Sequence, residues 1–338
     1  MNATRIDVAL DVPRTRHISA GMQAYANELA ARLPRVAPDL RFAEFTHGRS
    51  FGFEEQFALP FRLRRARPRL VHFLSMYAPY FAPRPFALTI HDLIHLNFPE
   101  FHKRSVAPYY ALVVRSLCAR AVRVITDDER TVGDLERYLG VAPDKVRVVP
   151  LGVDDAFLSD VPPEPAARPY FIYAGNHRPH KDLPTLLAAW AALDPAREVD
   201  LYLTGDDDLP ANRPERSRGQ LHFLGNVGPK RLAALFRGSV ALVHPALREG
   251  FGLPQLEALC AGTHVIACGD AVPSPLVPYV DRFPARDVAA LSALMLGALT
   301  EPRASDEARR FARSLTWDRC AVRTAEVYRE VLEHTPGR

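Results

Sequence analysis

The sequence predicts two doubly wound α/β domains, one after the other, joined by a short stiff segment. Three observations carry this expectation. Short apolar runs alternate with helical stretches, and the alternation runs twice through the 338 residues. Several of the runs end in a loop that opens a helix, the junction at which such sheets bind ligands. Between the two series lies 160–169, Asp160-Val161-Pro162-Pro163-Glu164-Pro165-Ala166-Ala167-Arg168-Pro169, whose prolines read as a semi-rigid linker. The expected organisation is a first domain over 1–160, a linker over 161–169, a second domain over 170–316 and a closing helix over 317–338.

In the first series, Ile6-Asp7-Val8-Ala9-Leu10 is a strand, and Gly21 to Leu29 opens a helix with Ser19 as a candidate cap. No G-x-G-x-x-G follows, so a dinucleotide fingerprint is absent. Leu40 to Phe45 is the next strand. Phe61 to Arg69 holds five arginines, read either as a patch for anionic lipid or as a solvated helix face. Aromatic residues do not interleave with those arginines, which argues against nucleic acid as a partner. Phe86 to Ile90 is a strand of the buried type, with His91-Asp92 at its carboxyl end, where parallel sheets place ligands. His91 is therefore a candidate functional residue, with Asp92 either orienting its ring or holding the loop. Ser105 to Cys118 reads as helix and Ala121 to Ile125 as strand. Asp127-Asp128 then either caps the helix Glu129 to Leu139 or meets a polar acceptor.

The second series opens on the strand Tyr170 to Ala174, followed by Gly175-Asn176-His177-Arg178-Pro179-His180-Lys181 and a helix over Leu183 to Leu193. Val199 to Gly205 is a strand with a glycine end. The run Asp206-Asp207-Asp208 after it reads as a solvated loop, not as a metal-binding D-x-D site. Further on, Arg248-Glu249-Gly250-Phe251-Gly252-Leu253-Pro254-Gln255-Leu256-Glu257 follows a strand and leads into a helix with Pro254 in its first turn, where a missing N–H costs nothing. Free amides at that helix start favour a phosphate. Glu249, before the turn, and Glu257, one turn in, can accept hydrogen bonds from hydroxyl groups, and ionised acceptors make the stronger ones. A phosphate beside vicinal hydroxyls suggests a nucleotide sugar; a tight turn with an ordinary solvated glutamate fits the same spacing.

With its flanks, Leu221 to Gly225 before it and Ala261 to Ala267 after it, this stretch resembles the E-x7-E signature of the retaining GT-B glycosyltransferases of family four, also called group 1. The resemblance runs over nearly the whole chain, and its mannosyltransferase-like branch is the most similar, on Thr89 to Ile94 and the Lys181 loop. It implies two Rossmann-like domains facing a central cleft. It also implies a nucleotide-diphosphate sugar as donor and no cofactor or metal. The residues carried over as donor-binding are Gly21, Arg178, Lys181, Asn226, Glu249, Phe251, Gly252, Leu253 and Glu257, with His91, Glu249 and Lys181 as the catalytic set. Asn226, with Gly225 and Val227, matches the segment that lines the nucleobase. Asn176 and His180 depart from the arginines usual in relatives, and Gly269 to Val277 departs from the usual ending of the motif.

Composition is that of an ordinary globular chain, 48% hydrophobic and 24% charged. A net charge of +4 fits an anionic substrate or a membrane surface without requiring either. Cys118, Cys260, Cys268 and Cys320 are scattered, with no zinc-ligand spacing, which points to a reducing cytosol. The N-terminus shows no signal-peptide core, and no apolar run reaches membrane-spanning length. The expectation is a cytoplasmic enzyme, free or at the inner face of the membrane. It moves a hexose, with mannose or a related sugar favoured, onto a glycan or lipid-linked acceptor. The alternatives are a GT-B epimerase and a non-catalytic nucleotide-sugar scaffold.

Overall fold

The computed structural model describes residues 5–14, 18–48, 52–193, 198–210, 218–301 and 305–334. The chain divides into two compact units, one of Met1–Gly152 with Thr316–Arg338 and one of Val153–Leu315.

The first unit is built on β1 (Val8–Pro13), β2 (Phe42–His47), β3 (Leu70–Phe73), β4 (Phe86–Thr89), β5 (Arg123–Thr126) and β6 (Val146–Val148). All pairings are parallel, in the order β2-β1-β3-β4-β5-β6. Every residue of β1, β3 and β4 is buried, as a parallel sheet covered on both faces requires. The helix Ala20–Val36 follows β1 and is capped by Ser19, whose hydroxyl accepts from the Met22 amide at 3.3 Å. Gly21 lies in the first helical turn, with Ser19 as the cap expected of it and Ala20 as the first helical residue.

The C-terminal helix Trp317–Glu333 belongs to this unit. Trp317, Cys320, Ala321, Thr324, Tyr328 and Leu332 recur at three- and four-residue spacing and are all buried. Tyr328 hydrogen-bonds His72 at 2.6 Å, and His72 reaches Thr89 at 2.8 Å. Burial pushes the His72 imidazole down to about 3, so it is a neutral, fully partnered core group. Gly152 is needed here for close approach: a Cβ on it would lie 2.1 Å from the Trp317 amide nitrogen.

The second unit is built on β7 (Tyr170–Tyr173), β8 (Asp200–Leu203), β9 (Leu221–Phe223), β10 (Ala241–His244), β11 (Val265–Cys268) and β12 (Asp281–Phe283), in the parallel order β12-β11-β10-β7-β8-β9. Chain direction across the sheet reverses between β7 and β10, so the loops leaving those two strands flank the position where doubly wound sheets bind ligands.

The linker expectation needs correction. Segment 160–169 is part of the second unit, and the first unit ends at Gly152 rather than 160. Glu164 donates its amide to the Ala234 carbonyl at 2.9 Å, and Arg237 donates to the Val161 carbonyl at 2.7 Å. Asp160 accepts from Arg237, Arg309 and Arg313 at 2.5 to 2.7 Å. The prolines keep the segment out of regular structure, but these bonds fasten it to the helices it crosses.

Candidate active site

In the second unit, two loops meet at the switch point. The loop after β7 carries Gly175 to Lys181, and the loop after β10 carries Ala246 to Gly252. The Leu247 amide donates to the His180 carbonyl at 2.8 Å and ties the loops together. Lys181 and Glu249 are both largely buried, and the Lys181 ammonium donates directly to Glu249 Oε1. The same oxygen meets His244 Nε2 at 2.6 Å, with His244 fully buried at the end of β10. Burial alone would push the Glu249 carboxyl up, but Lys181 and His244 outweigh it and hold the group well below the ordinary glutamate range. Glu249 is therefore a fixed anion, and the sequence-derived pair Lys181 and Glu249 is in direct contact.

Beyond the Glu249 loop, Gly252 starts the helix Leu253–Ala261 at φ 68°, with Pro254 in the first turn. A side chain there would be strained by the backbone and would crowd Pro273, at 3.1 Å from the Cβ position. Leu253 is the first helical residue, so its amide is among those without a partner in the helix. Phe251 is buried.

A cavity of about 350 Å³ lies beside this helix start, lined by Gly175, Thr204, Asp206, Asn226, Pro254 and Glu257 among others. Its far wall is held by a backbone exchange between Gly205 and Gly225, at 2.8 and 3.0 Å, which joins the loops after β8 and β9. Asn226 and Glu257 thus face one space. Glu249 and Lys181 do not line it; they lie on the two loops at the switch point. Glu257 departs from the expected ionised acceptor: desolvation first, then the Asp154 charge, push its carboxyl up to about 8. That shift favours the neutral acid, which can donate as well as accept.

The aspartate run is an exposed loop, as expected of it. Asp206 lines the cavity, and Asp208 pairs with His177 Nδ1, while His177 Nε2 bonds the Thr204 carbonyl at 2.8 Å. Among the described residues no cluster of three or more His, Cys, Asp or Glu side chains is placed to hold a metal ion. Arg178 is exposed and its guanidinium has no ion pair among the described residues; Asn176 caps the Arg178 amide at 3.3 Å. His180 is buried.

In the first unit, His91 stands just beyond β4. Its Nδ1 bonds Asp127 Oδ2 at 2.6 Å, and its Nε2 is buried with no hydrogen-bond partner. Tyr25 meets the ring edge-on, with centroids 4.7 Å apart. Desolvation lowers the imidazole's basicity, but Asp127 and then Asp92 raise it more, so the ring is more basic than a free histidine. Asp92 is not the orienting group; its carboxylate accepts from the Ile94 amide at 3.0 Å and holds the loop. Asp127 takes that part, while Asp128 caps the helix Glu129–Leu139 by accepting from the Arg130 amide at 2.9 Å. The signal for Asp127 was strand order: Thr89 pairs with Ile125, so two places further His91 stands beside Asp127.

A family model described as Glycosyltransferase Family 4 matches residues 19–157, and one described as Glycosyl transferases group 1 matches residues 168–301. The chain is 25% identical over 290 residues to O-antigen chain mannosyltransferase B of Escherichia coli, covering 79% of this chain and 76% of that protein. It is 30% identical over 253 residues to the MMP alpha-(1->4)-mannosyltransferase of Mycolicibacterium hassiacum, covering 69% of this chain and 60% of that protein. Its fold is similar to that of Anabaena HepE, solved in complex with UDP and glucose, with a TM-score of 0.71 at 15% identity over 96% of this chain and all of the other.

Proposed function

The chain belongs to the group 1 glycosyltransferases of the GT-B fold, on the mannosyltransferase-like side, and we propose that it is a retaining hexosyltransferase. It takes the hexose, mannose or a close relative, from a nucleotide-diphosphate sugar and passes it to a glycan or lipid-linked acceptor without a metal ion. The observation that carries this reading is the opposition of Lys181 and Glu249 at the switch point, next to the cavity that holds Asn226 and Glu257. One part binds an anion, the next offers carboxyls to hydroxyl groups, and the third offers backbone and a flat space to a base.

Breaking the bond between sugar and diphosphate leaves negative charge on the phosphate oxygens. Lys181, Arg178 and the free amides at Gly252 and Leu253 offset that charge, which is the largest share of such catalysis. Glu249 holds hydroxyls of the donor sugar, and Glu257 holds the ribose. Gly225, Asn226 and Val227 present backbone to the base. His91, aimed by Asp127, orients a sugar or acceptor hydroxyl. No side chain in the set is placed as a covalent nucleophile, so the acceptor attacks from the face the diphosphate leaves. GDP-, UDP-, ADP- and dTDP-linked hexoses, each with and without magnesium, are the test, with NMR reading the anomer formed on the acceptor. A magnesium-independent thermal shift with one nucleotide and a product of unchanged configuration are expected. A product of inverted configuration, an epimerised sugar, or donor binding without transfer or hydrolysis overturns the reading.

A further inference from the structure

The first unit carries an exposed aromatic stripe that the transfer reaction does not use. Helical turns Glu54–Ala58 and Leu59–Ala66 run on without a break, and their inner face packs Leu59, Pro60 and Leu63 into the core. Their outer face should be polar. Instead Phe53, Phe57 and Phe61, four residues apart, are 76%, 58% and 66% exposed. Phe53 and Phe57 stack on each other with centroids 5.2 Å apart. Phe81, 60% exposed, and Tyr80 adjoin this face: the Tyr80 amide donates to Gln56 at 3.0 Å, and Arg64 donates to the Phe81 carbonyl at 2.9 Å. A single exposed apolar side chain is ordinary, but five aromatic ones on neighbouring turns form a patch that marks a binding surface.

Charge decides what the patch binds. Arg62, Arg64, Arg65 and Arg67 are exposed along the same helix and its last turn, against Glu54 alone on that face. Arg65 and Arg67 have no ion-pair partner among the described residues. A second copy of this chain meeting the patch by two-fold symmetry would set one arginine fringe against the other. Phenylalanine rings fringed by arginine suit an anionic bilayer, where rings enter the acyl boundary and guanidinium groups stay with the head-group phosphates.

We propose that Phe53, Phe57, Phe61, Tyr80 and Phe81, with Arg62, Arg64, Arg65 and Arg67, form a docking surface for an anionic lipid bilayer. The surface works without donor or acceptor, so its test is separate from that of transfer. The full chain is floated with vesicles of phosphatidylcholine, with and without phosphatidylglycerol, at low and high salt. The unaltered protein binds the anionic vesicles at least about tenfold more tightly than the neutral ones, and salt weakens that preference. Phe57→Ser with Phe61→Ser abolishes binding and leaves the melting temperature unchanged, since both rings are exposed. Arg65→Glu with Arg67→Glu removes the preference for anionic lipid. The proposal is overturned if the unaltered protein ignores anionic vesicles, or if the paired Phe variant binds them undiminished. It is equally overturned if the Phe variant instead abolishes a concentration-dependent dimer.

Discussion

His91 and Lys181 are the two basic side chains on which the proposed chemistry leans, and the two units hold them in opposite ways. His91 is aimed: one nitrogen is fixed by Asp127 and the other has no partner. Lys181 is spoken for: its ammonium is already paired with Glu249, which His244 also grips. The first arrangement stores direction in a buried ring. The second stores charge in a closed pair that a ligand must rearrange. Loss of either group should therefore read out differently.

The largest effect is expected at Lys181. Lys181→Ala removes one cation facing the leaving diphosphate and should lower kcat by about a thousandfold. It also leaves Glu249 as a buried anion without its ammonium partner, so the melting temperature should fall. Adding Glu249→Gln should recover much of that stability and none of the activity; a double variant as unstable as the single one breaks the idea of a closed charge pair. Next comes His91→Ala, with a loss in kcat of about a hundredfold and little loss of donor affinity. Asp127→Asn keeps the ring but loosens its aim, for about tenfold in kcat.

A pH difference sharpens the contrast. His91 is more basic folded than unfolded, so its pair with Asp127 contributes stability that is complete below the ordinary imidazole range and fades as pH rises through the higher folded value. Asp127→Asn should flatten that stretch of a stability-against-pH curve. Glu257 has a folded value of about 8 against 4.5 unfolded. Its neutral form likewise contributes below 4.5 and is lost on the way up to about 8, so Glu257→Gln should remove that fall, as chemical denaturation across the range will register. Smallest is Arg178→Ala: an exposed guanidinium screened by water should be worth only about threefold in donor affinity, and a large effect would move Arg178 into the grip itself.

The sequence shows most plainly what is local. The glutamates eight residues apart with Gly252 between them, the Pro254 helix start and the capping by Asp128 all depend on neighbours in the chain, and each is where the spacing puts it. Asp127 was harder to assign, because its partner lies 36 residues away and only the adjacency of β4 and β5 brings them together. Asp92, next door to His91, looked the better orienter and is not. The linker reading failed for a similar reason: proline density speaks about backbone freedom, while arginines far along the chain fix Asp160. The aromatic stripe is not legible in the sequence, because a phenylalanine in an amphipathic run fits the inner and the outer face alike, and only exposure shows which it occupies.

The pair of Lys181 and Glu249 has one more consequence, for the order of events. Lys181 and Glu249 hold each other in place. If the proposed function holds, a diphosphate that drew Lys181 to itself would loosen Glu249 at the same moment, and the group proposed to receive the sugar would be released by the arrival of the group that carries it. Phosphate and sugar then act as two turns of one lock, each easier once the other is made. Free nucleoside diphosphate should accordingly prime the site for a hexose that binds poorly alone, and Lys181→Ala should uncouple the two.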